Sequence, residues 1–219
     1  IARKLLMYRH SILPKARARA LELSQHGALY PWRTINGEEA SAYFLAGTAQ
    51  YHINADIAYG IKKYLQVTGD MTFLPYATEM LVETARFWSD LGDYIPRLGN
   101  AFCINGVTGP DEYTALVNNN YYTNLMAQDN LRFAVEAVSL LLQQDSEVFK
   151  TIARVAQSRI TVMRLCATRA TVLTTSVIAR EWPIIRGVSS PASISRAPVT
   201  PRLRRMSARS SALSSKSRS

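Results

Sequence analysis

Residues 53–91 read INADIAYGIKKYLQVTGDMTFLPYATEMLVETARFWSDL, and their apolar spacing decides the fold class. Ile53, Ile57, Ile61, Tyr64 and Leu65 recur in steps of three and four, which places them on one face of an α-helix. Thr68-Gly69-Asp70 follows as a helix stop and a new start. Leu74, Met80, Leu81, Ala85 and Trp88 then form a second stripe, ended by Gly92. The pattern predicts one helix over residues 38–67 and another over 71–91.

Working outward, residues 1–25 are dense in Ala, Leu, Arg and Lys. Leu5, Met7, Tyr8, Ile12, Leu13, Ala16, Ala20 and Leu23 keep roughly helical spacing, and Pro14 kinks or divides the segment. On the far side, residues 121–144 carry Leu125, Leu131, Val135, Val138 and Leu142 and predict a further helix. Residues 26–40, HGALYPWRTINGEEA, read as a loop because of Gly27, Pro31, Asn36 and Gly37. Residues 93–118 form a longer loop rich in Gly, Asn and Pro, and a loop of that length inside a compact domain is usually functional. No strand alternation and no internal repeat is evident. An all-α fold of packed helical hairpins follows.

The chain has 219 residues, 47% of them hydrophobic, enough for one domain with a sizeable core. It opens on IARKLLMYRH, without a methionine or a signal core, and so reads as starting inside a domain. No uninterrupted apolar run is long enough to predict a membrane span. Cys103 and Cys166 lie in dissimilar surroundings and form neither a metal-ligand pattern nor a disulfide framework, so a reducing, cytoplasmic setting is expected. The net charge of +10 suggests nucleic acid until it is divided along the chain. Residues 1–145 hold 12 Lys+Arg against 14 Asp+Glu, a net of −2. Residues 146–219 hold 14 against 2, a net of +12. That basic segment is rich in Arg and Ser, and stretches such as RLRRMSARSSALSSKSRS have no core-forming period. The reading is a domain over 1–145 and a basic tail over 146–219.

Three stretches carry chemistry. In GVTGPDEYTALVNNNYYTN (residues 106–124), Gly106, Gly109 and Pro110 set a tight path that presents Asp111, Glu112 and Tyr113 beside the amides of Asn118, Asn119 and Asn120. A glycosidic bond breaks when its leaving oxygen receives a proton, and a carboxylic acid kept protonated by its surroundings supplies one. Taken alone, the same residues read more simply as solvated turn residues at a helix start. In YPWRTINGEE (residues 30–39), Trp32 suits a sugar face and Arg33, Glu38 or Glu39 suit its hydroxyls. Locally, an indole packed under the loop and acidic residues at a helix N-terminus explain them as well. In AGTAQYHINADIAYG (residues 46–60), Gln50, His52, Asn54 and Asp56 interrupt an apolar helix, and His52 and Asp56 are i, i+4 neighbours. They form either a buried pair reaching a polar cavity or a satisfied core histidine. There is no GxGxxG, P-loop or HExxH, so nucleotide and zinc chemistry find no support.

Together, YPWRTINGEEASAYFLAGTAQYHINADIAYGIKKYLQVTGD, EMLVETARFWSDLG and GVTGPDEYTALVNNNYYTNLMAQDNL resemble the central catalytic domain of glycoside hydrolase family 65. That family contains maltose, trehalose and kojibiose phosphorylases, and the resemblance runs from the first residues to about Gln144. It implies part of an (α/α)6 toroid. It implies that Glu112, the Glu of the family's DEY motif, is the general acid. Trp32, Glu39, His52, Tyr113 and Asn118 are the candidate substrate-binding residues. The implied reaction is inverting phosphorolysis, in which an α-linked glucose disaccharide and inorganic phosphate give β-glucose 1-phosphate. An inverting hydrolase needs a second carboxylate to activate water; phosphate as co-substrate replaces it, and no metal or organic cofactor is implied. The partners expected are disaccharide and phosphate, with no specific nucleic acid and no membrane, and a homodimer is the assembly expected of full-length relatives.

The departures bound this reading. The family's N-terminal β-sandwich and its Trp-Asp glucose-binding stretch have no counterpart here, and the phosphate-binding residues belong downstream of Gln144. The basic tail does not resemble the family. It reads as a frameshifted translation, a disordered extension, or a basic arm binding nucleic acid through phosphate charge. The loss of acidic residues where the resemblance stops favours the first. The chain is accordingly expected to be an inactive fragment of a disaccharide phosphorylase. The alternatives are a trehalase-like family hydrolase and a non-enzymatic basic fragment that binds nucleic acid non-specifically.

Overall fold

The computed structural model describes residues 1–41 and 49–144. The readings of the tail over 146–219 lie outside the described residues. Five α-helices make up most of the described chain: α1 (Ala2–Ser11), α2 (Leu13–Glu22), α3 (Ile53–Thr68), α4 (Leu74–Leu91) and α5 (Tyr121–Gln144). The all-α expectation holds.

The first helical segment divides at Ile12. Pro14 falls in the first turn of α2, where the missing N–H of proline costs no helical hydrogen bond. The break resets the helical phase, so a single stripe cannot run through both helices. Leu6, Ile12, Leu13, Ala16 and Ala20 are buried, while Leu5, Tyr8 and Leu23 from the predicted stripe are exposed.

The predicted start of the next helix is corrected. Residues 38–41 are loop, and α3 begins at Ile53. Glu39 closes the loop over 38–41: its carboxylate accepts hydrogen bonds from the backbone N–H groups of Trp32 (2.9 Å), Arg33 (3.2 Å) and Ser41 (3.0 Å); residues 42–48 of the predicted helix lie outside the described residues. α3 ends as its sequence predicts. Gly69 adopts φ 65°, and its N–H bonds the Leu65 carbonyl at 3.0 Å. Asp70 then fastens three elements, accepting from Arg3 of α1 (2.9 Å), Tyr64 of α3 (2.6 Å) and Thr72 (2.6 Å) in the 3₁₀ turn Met71–Phe73.

Helices α4 and α5 share the most extensive interface, and α3 packs against both. Phe73, Phe87, Trp88, Phe102 and Phe133 fill the centre. Burying side chains of this size, at roughly 25 cal/mol per Å² of apolar surface, is the main stabilising term. The inward face of α5 is more polar than its leucines suggest. Thr123, Asn124, Gln128 and Asn130 are buried, whereas Leu125 and Leu142 are exposed. One reason is Trp88, whose indole N–H donates to the Asn130 side-chain carbonyl at 3.0 Å across the α4–α5 interface.

The loop after α4 contains a feature the sequence reading excluded. β1 (Asp93–Ile95) and β2 (Ala101–Cys103) pair antiparallel, with Tyr94 opposite Phe102. Three-residue strands are too short for alternation to show in sequence. Gly92 makes room for the hairpin, since a Cβ there would lie 2.2 Å from the Phe102 ring. Among the described residues, no helix is long and apolar enough to cross a membrane.

Candidate active site

The loop from residue 104 to residue 120 is held at both ends before it presents any chemistry. Val107 and Val117 form an antiparallel bridge with hydrogen bonds of 3.0 and 2.8 Å. Asn119 N–H bonds the Ile104 carbonyl at 2.8 Å, and Gly106 N–H bonds the Asn118 side-chain oxygen at 3.0 Å. Asn120 caps α5 by accepting from the Thr123 N–H at 3.0 Å. The loop is also fixed to the segment before α3, because Thr108 N–H donates to the Ala49 carbonyl at 3.1 Å.

Glu112 sits at the tip of this loop. The turn Gly109–Glu112 is closed by the Glu112 N–H on the Gly109 carbonyl at 3.3 Å. Glu112 has φ 57°, a left-handed conformation that costs a residue with a Cβ about 1–2 kcal/mol. Gly109 is needed beside it, since a Cβ there would come 2.7 Å from the Asn120 amide. Held this way, the exposed Glu112 turns its carboxylate back onto the buried Gln50, whose side-chain amide donates to Oε1.

Behind Gln50 the bonds continue inward. Gln50 Oε1 lies 3.1 Å from His52 Nε2, and His52 Nδ1 lies 2.8 Å from Asp56 Oδ2. The other Asp56 oxygen accepts from the Tyr122 hydroxyl of α5 at 2.7 Å. The Tyr122 ring meets His52 edge-on at 5.7 Å. Burial, and then the hydrogen bond and charge of Asp56, push the Tyr122 phenol up to about 12, so it stays a donor. The His52–Asp56 pair anticipated from i, i+4 spacing is therefore formed and buried on the histidine side.

The other sequence candidates lie apart from this chain of bonds. Trp32 is half-buried, with the Arg33 guanidinium 4.2 Å from its ring centroid. Glu39 pins the Trp32 loop and pairs with Arg19 at 2.9 Å. Burial pushes the Glu39 carboxyl up, but its hydrogen bonds and Arg19 outweigh that and hold it below the ordinary range. This loop reaches α3 through Asn54, which accepts from Tyr30 N–H (2.9 Å) and donates to the Ala28 carbonyl (2.8 Å). Tyr113 points into solvent, 91% exposed. Asn118 is exposed and ties off the loop at Gly106. The sequence reading singled out Gln50 without giving it a role and missed Tyr122; no local signal links position 56 to position 122. Among the described residues, no group of three or more His, Cys, Asp or Glu is placed to hold a metal ion.

A family model, the glycosyl hydrolase family 65 central catalytic domain, matches residues 1–170. The chain is 58% identical over 154 residues to an alpha,alpha-trehalose phosphorylase of Thermoanaerobacter brockii, covering 70% of this chain and 20% of that protein. It is 40% identical over 167 residues to a kojibiose phosphorylase of Halothermothrix orenii, covering 69% and 21%. Among solved structures it resembles a putative kojibiose phosphorylase from human microbiome, with TM-score 0.69, 29% identity, and 78% of this chain and 25% of that one covered. That likeness agrees with part of an (α/α)6 toroid. The chain thus spans about a fifth of the length of the relatives it matches.

Proposed function

Because the chain belongs to glycosyl hydrolase family 65, we propose that its residues serve the phosphorolysis of an α-linked glucose disaccharide, with Glu112 as the proton donor. The observation that carries the assignment is the strained presentation of Glu112. A left-handed glutamate at a loop tip, aimed at a buried polar chain, needs a reason beyond stability. In its protonated form Glu112 gives a proton to the leaving glycosidic oxygen. Inorganic phosphate attacks the anomeric carbon from the opposite face, and the product is β-glucose 1-phosphate. Tyr113, exposed beside Glu112, and Trp32, half-buried in the loop over residues 26–40, are the side chains this reading assigns to sugar contact.

Identity to the trehalose phosphorylase makes trehalose the first substrate to test, followed by kojibiose and maltose. Since the chain spans about a fifth of its relatives, the activity is assigned to the complete gene product, and the isolated 219 residues are expected to be inactive. The experiment is phosphate-dependent release of glucose 1-phosphate by the complete product. Release of free glucose without phosphate would replace this reading with a hydrolase.

A further inference from the structure

Gln50 is 4% exposed and His52 5%. The Gln50 amide has one end that only donates and one that only accepts. With Nε2 donating to Glu112, its Oε1 faces His52 Nε2 at 3.1 Å, and that nitrogen must donate. His52 Nδ1 faces a carboxylate oxygen of Asp56 at 2.8 Å and must donate too. In this arrangement His52 carries protons on both ring nitrogens, beside the Asp56 anion, and Glu112 is a carboxylate.

The amide is isosteric about its axis, and turning it over reverses each requirement. Oε1 then faces Glu112 and accepts only if Glu112 is protonated. Nε2 faces His52 Nε2 and donates only if that nitrogen carries a lone pair. His52 keeps its Nδ1 proton for Asp56. Every facing pair of atoms is complementary in both arrangements, and both hold the same number of protons. The proton that sits on His52 in one sits on Glu112 in the other. The groups around His52 are fixed: Asp56 from α3, Tyr122 from α5, and Glu112 across Gln50, with Tyr59 acting on Tyr122.

Resting on the reading of Glu112 as the acid, we propose that Gln50, His52 and Asp56 are positioning residues that couple the proton on Glu112 to the one on His52 through the orientation of the Gln50 amide. When Glu112 gives its proton to the leaving oxygen, the donor end of Gln50 turns to the new carboxylate and His52 takes a proton from solvent. When His52 releases that proton to solvent, the amide turns back and Glu112 takes one up. The acid is thereby reset without any other titrating side chain.

The test reads which ring nitrogens of His52 carry protons, by long-range ¹H–¹⁵N NMR of the 219-residue chain, in the parent, Glu112→Gln, Gln50→Leu and the double variant. A His52→Gln control separates its signals from those of His10 and His26. At fixed pH, the ratio of doubly to singly protonated His52 is expected to fall about tenfold in Glu112→Gln, equivalent to one pH unit. In the Gln50→Leu background the residue at 112 is expected to make no difference. Gln50→Met replaces Gln50→Leu if the latter does not fold. The proposal is overturned if Glu112→Gln leaves His52 unchanged, or if its effect survives undiminished without Gln50. The outcome is independent of turnover: an active Glu112→Gln complete product sinks the acid assignment, whereas an inactive one with an unresponsive His52 sinks only the switch.

Discussion

The side-chain amide of Gln50 donates to the carboxylate of Glu112 across 62 positions of sequence. Gln50 lies just before α3 and Glu112 at the tip of the loop before α5, and the Thr108–Ala49 backbone bond holds the two segments together. The geometry of the Glu112 carboxylate therefore depends on how α3 and α5 pack, as well as on its own loop.

Gly27 is the position where the first loop crosses α4. It has φ +87°, and a Cβ would lie 2.3 Å from the Glu83 carbonyl oxygen and 2.6 Å from Phe87 N, both backbone atoms that cannot step aside. Gly27→Ala is expected to destabilise by about 2 kcal/mol or more, read as a lower urea midpoint.

Trp88→Phe keeps an aromatic ring in the core but removes the donor to Asn130, which is 1% exposed. The loss is expected to be about 1–3 kcal/mol, because a buried acceptor is left without its indole partner. Trp88→Phe combined with Asn130→Leu is expected to cost less than the sum of the two single changes, as a double-mutant cycle by urea unfolding will show.

Glu79 sits between Arg17 at 2.8 Å and His10 at 2.9 Å. Burial pushes its carboxyl up, but Arg17 and then His10 outweigh this and hold it below its ordinary value of 4.5. A carboxylate depressed in the folded state contributes stability that is present above its unfolded value and lost as pH falls through the folded one. Glu79→Gln is therefore expected to be less stable than the parent at pH 7 by about 1–3 kcal/mol. That gap is expected to close as pH falls below the ordinary value of 4.5 and through the lower folded one, measured by unfolding across pH.

Glu39→Ala removes the acceptor for three backbone N–H groups and the partner of Arg19. The expected cost is about 1–3 kcal/mol. In the complete gene product, the freed Trp32 loop is expected to raise KM more than it lowers kcat. An unchanged KM would remove this loop from the sugar site.

Much of this architecture was legible in the sequence. α4 and α5 follow their apolar spacing, and Gly69 stops α3 where its left-handed φ requires. Where reading failed, a distant partner decided the outcome. Glu39 looked like a helix opener, but Arg19 on α2 pairs with it while its carboxylate closes its own loop on Trp32 and Arg33. Leu125 and Leu142 looked like core, but the packing of α3 and α4 turned Asn124 and Asn130 inward instead. The hairpin strands were too short to carry a period. Of the candidate site, Glu112 was singled out only through the family resemblance, and the His52–Asp56 pair through its spacing. The Gln50 bridge and Tyr122 were not visible, because each joins segments more than 60 residues apart.

The most direct measurement is phosphate-dependent glucose 1-phosphate release from trehalose, kojibiose and maltose by the complete gene product and its Glu112→Gln variant. The account predicts a fall in kcat of about 100-fold or more, with the folded state retained. Unchanged turnover in Glu112→Gln would contradict it.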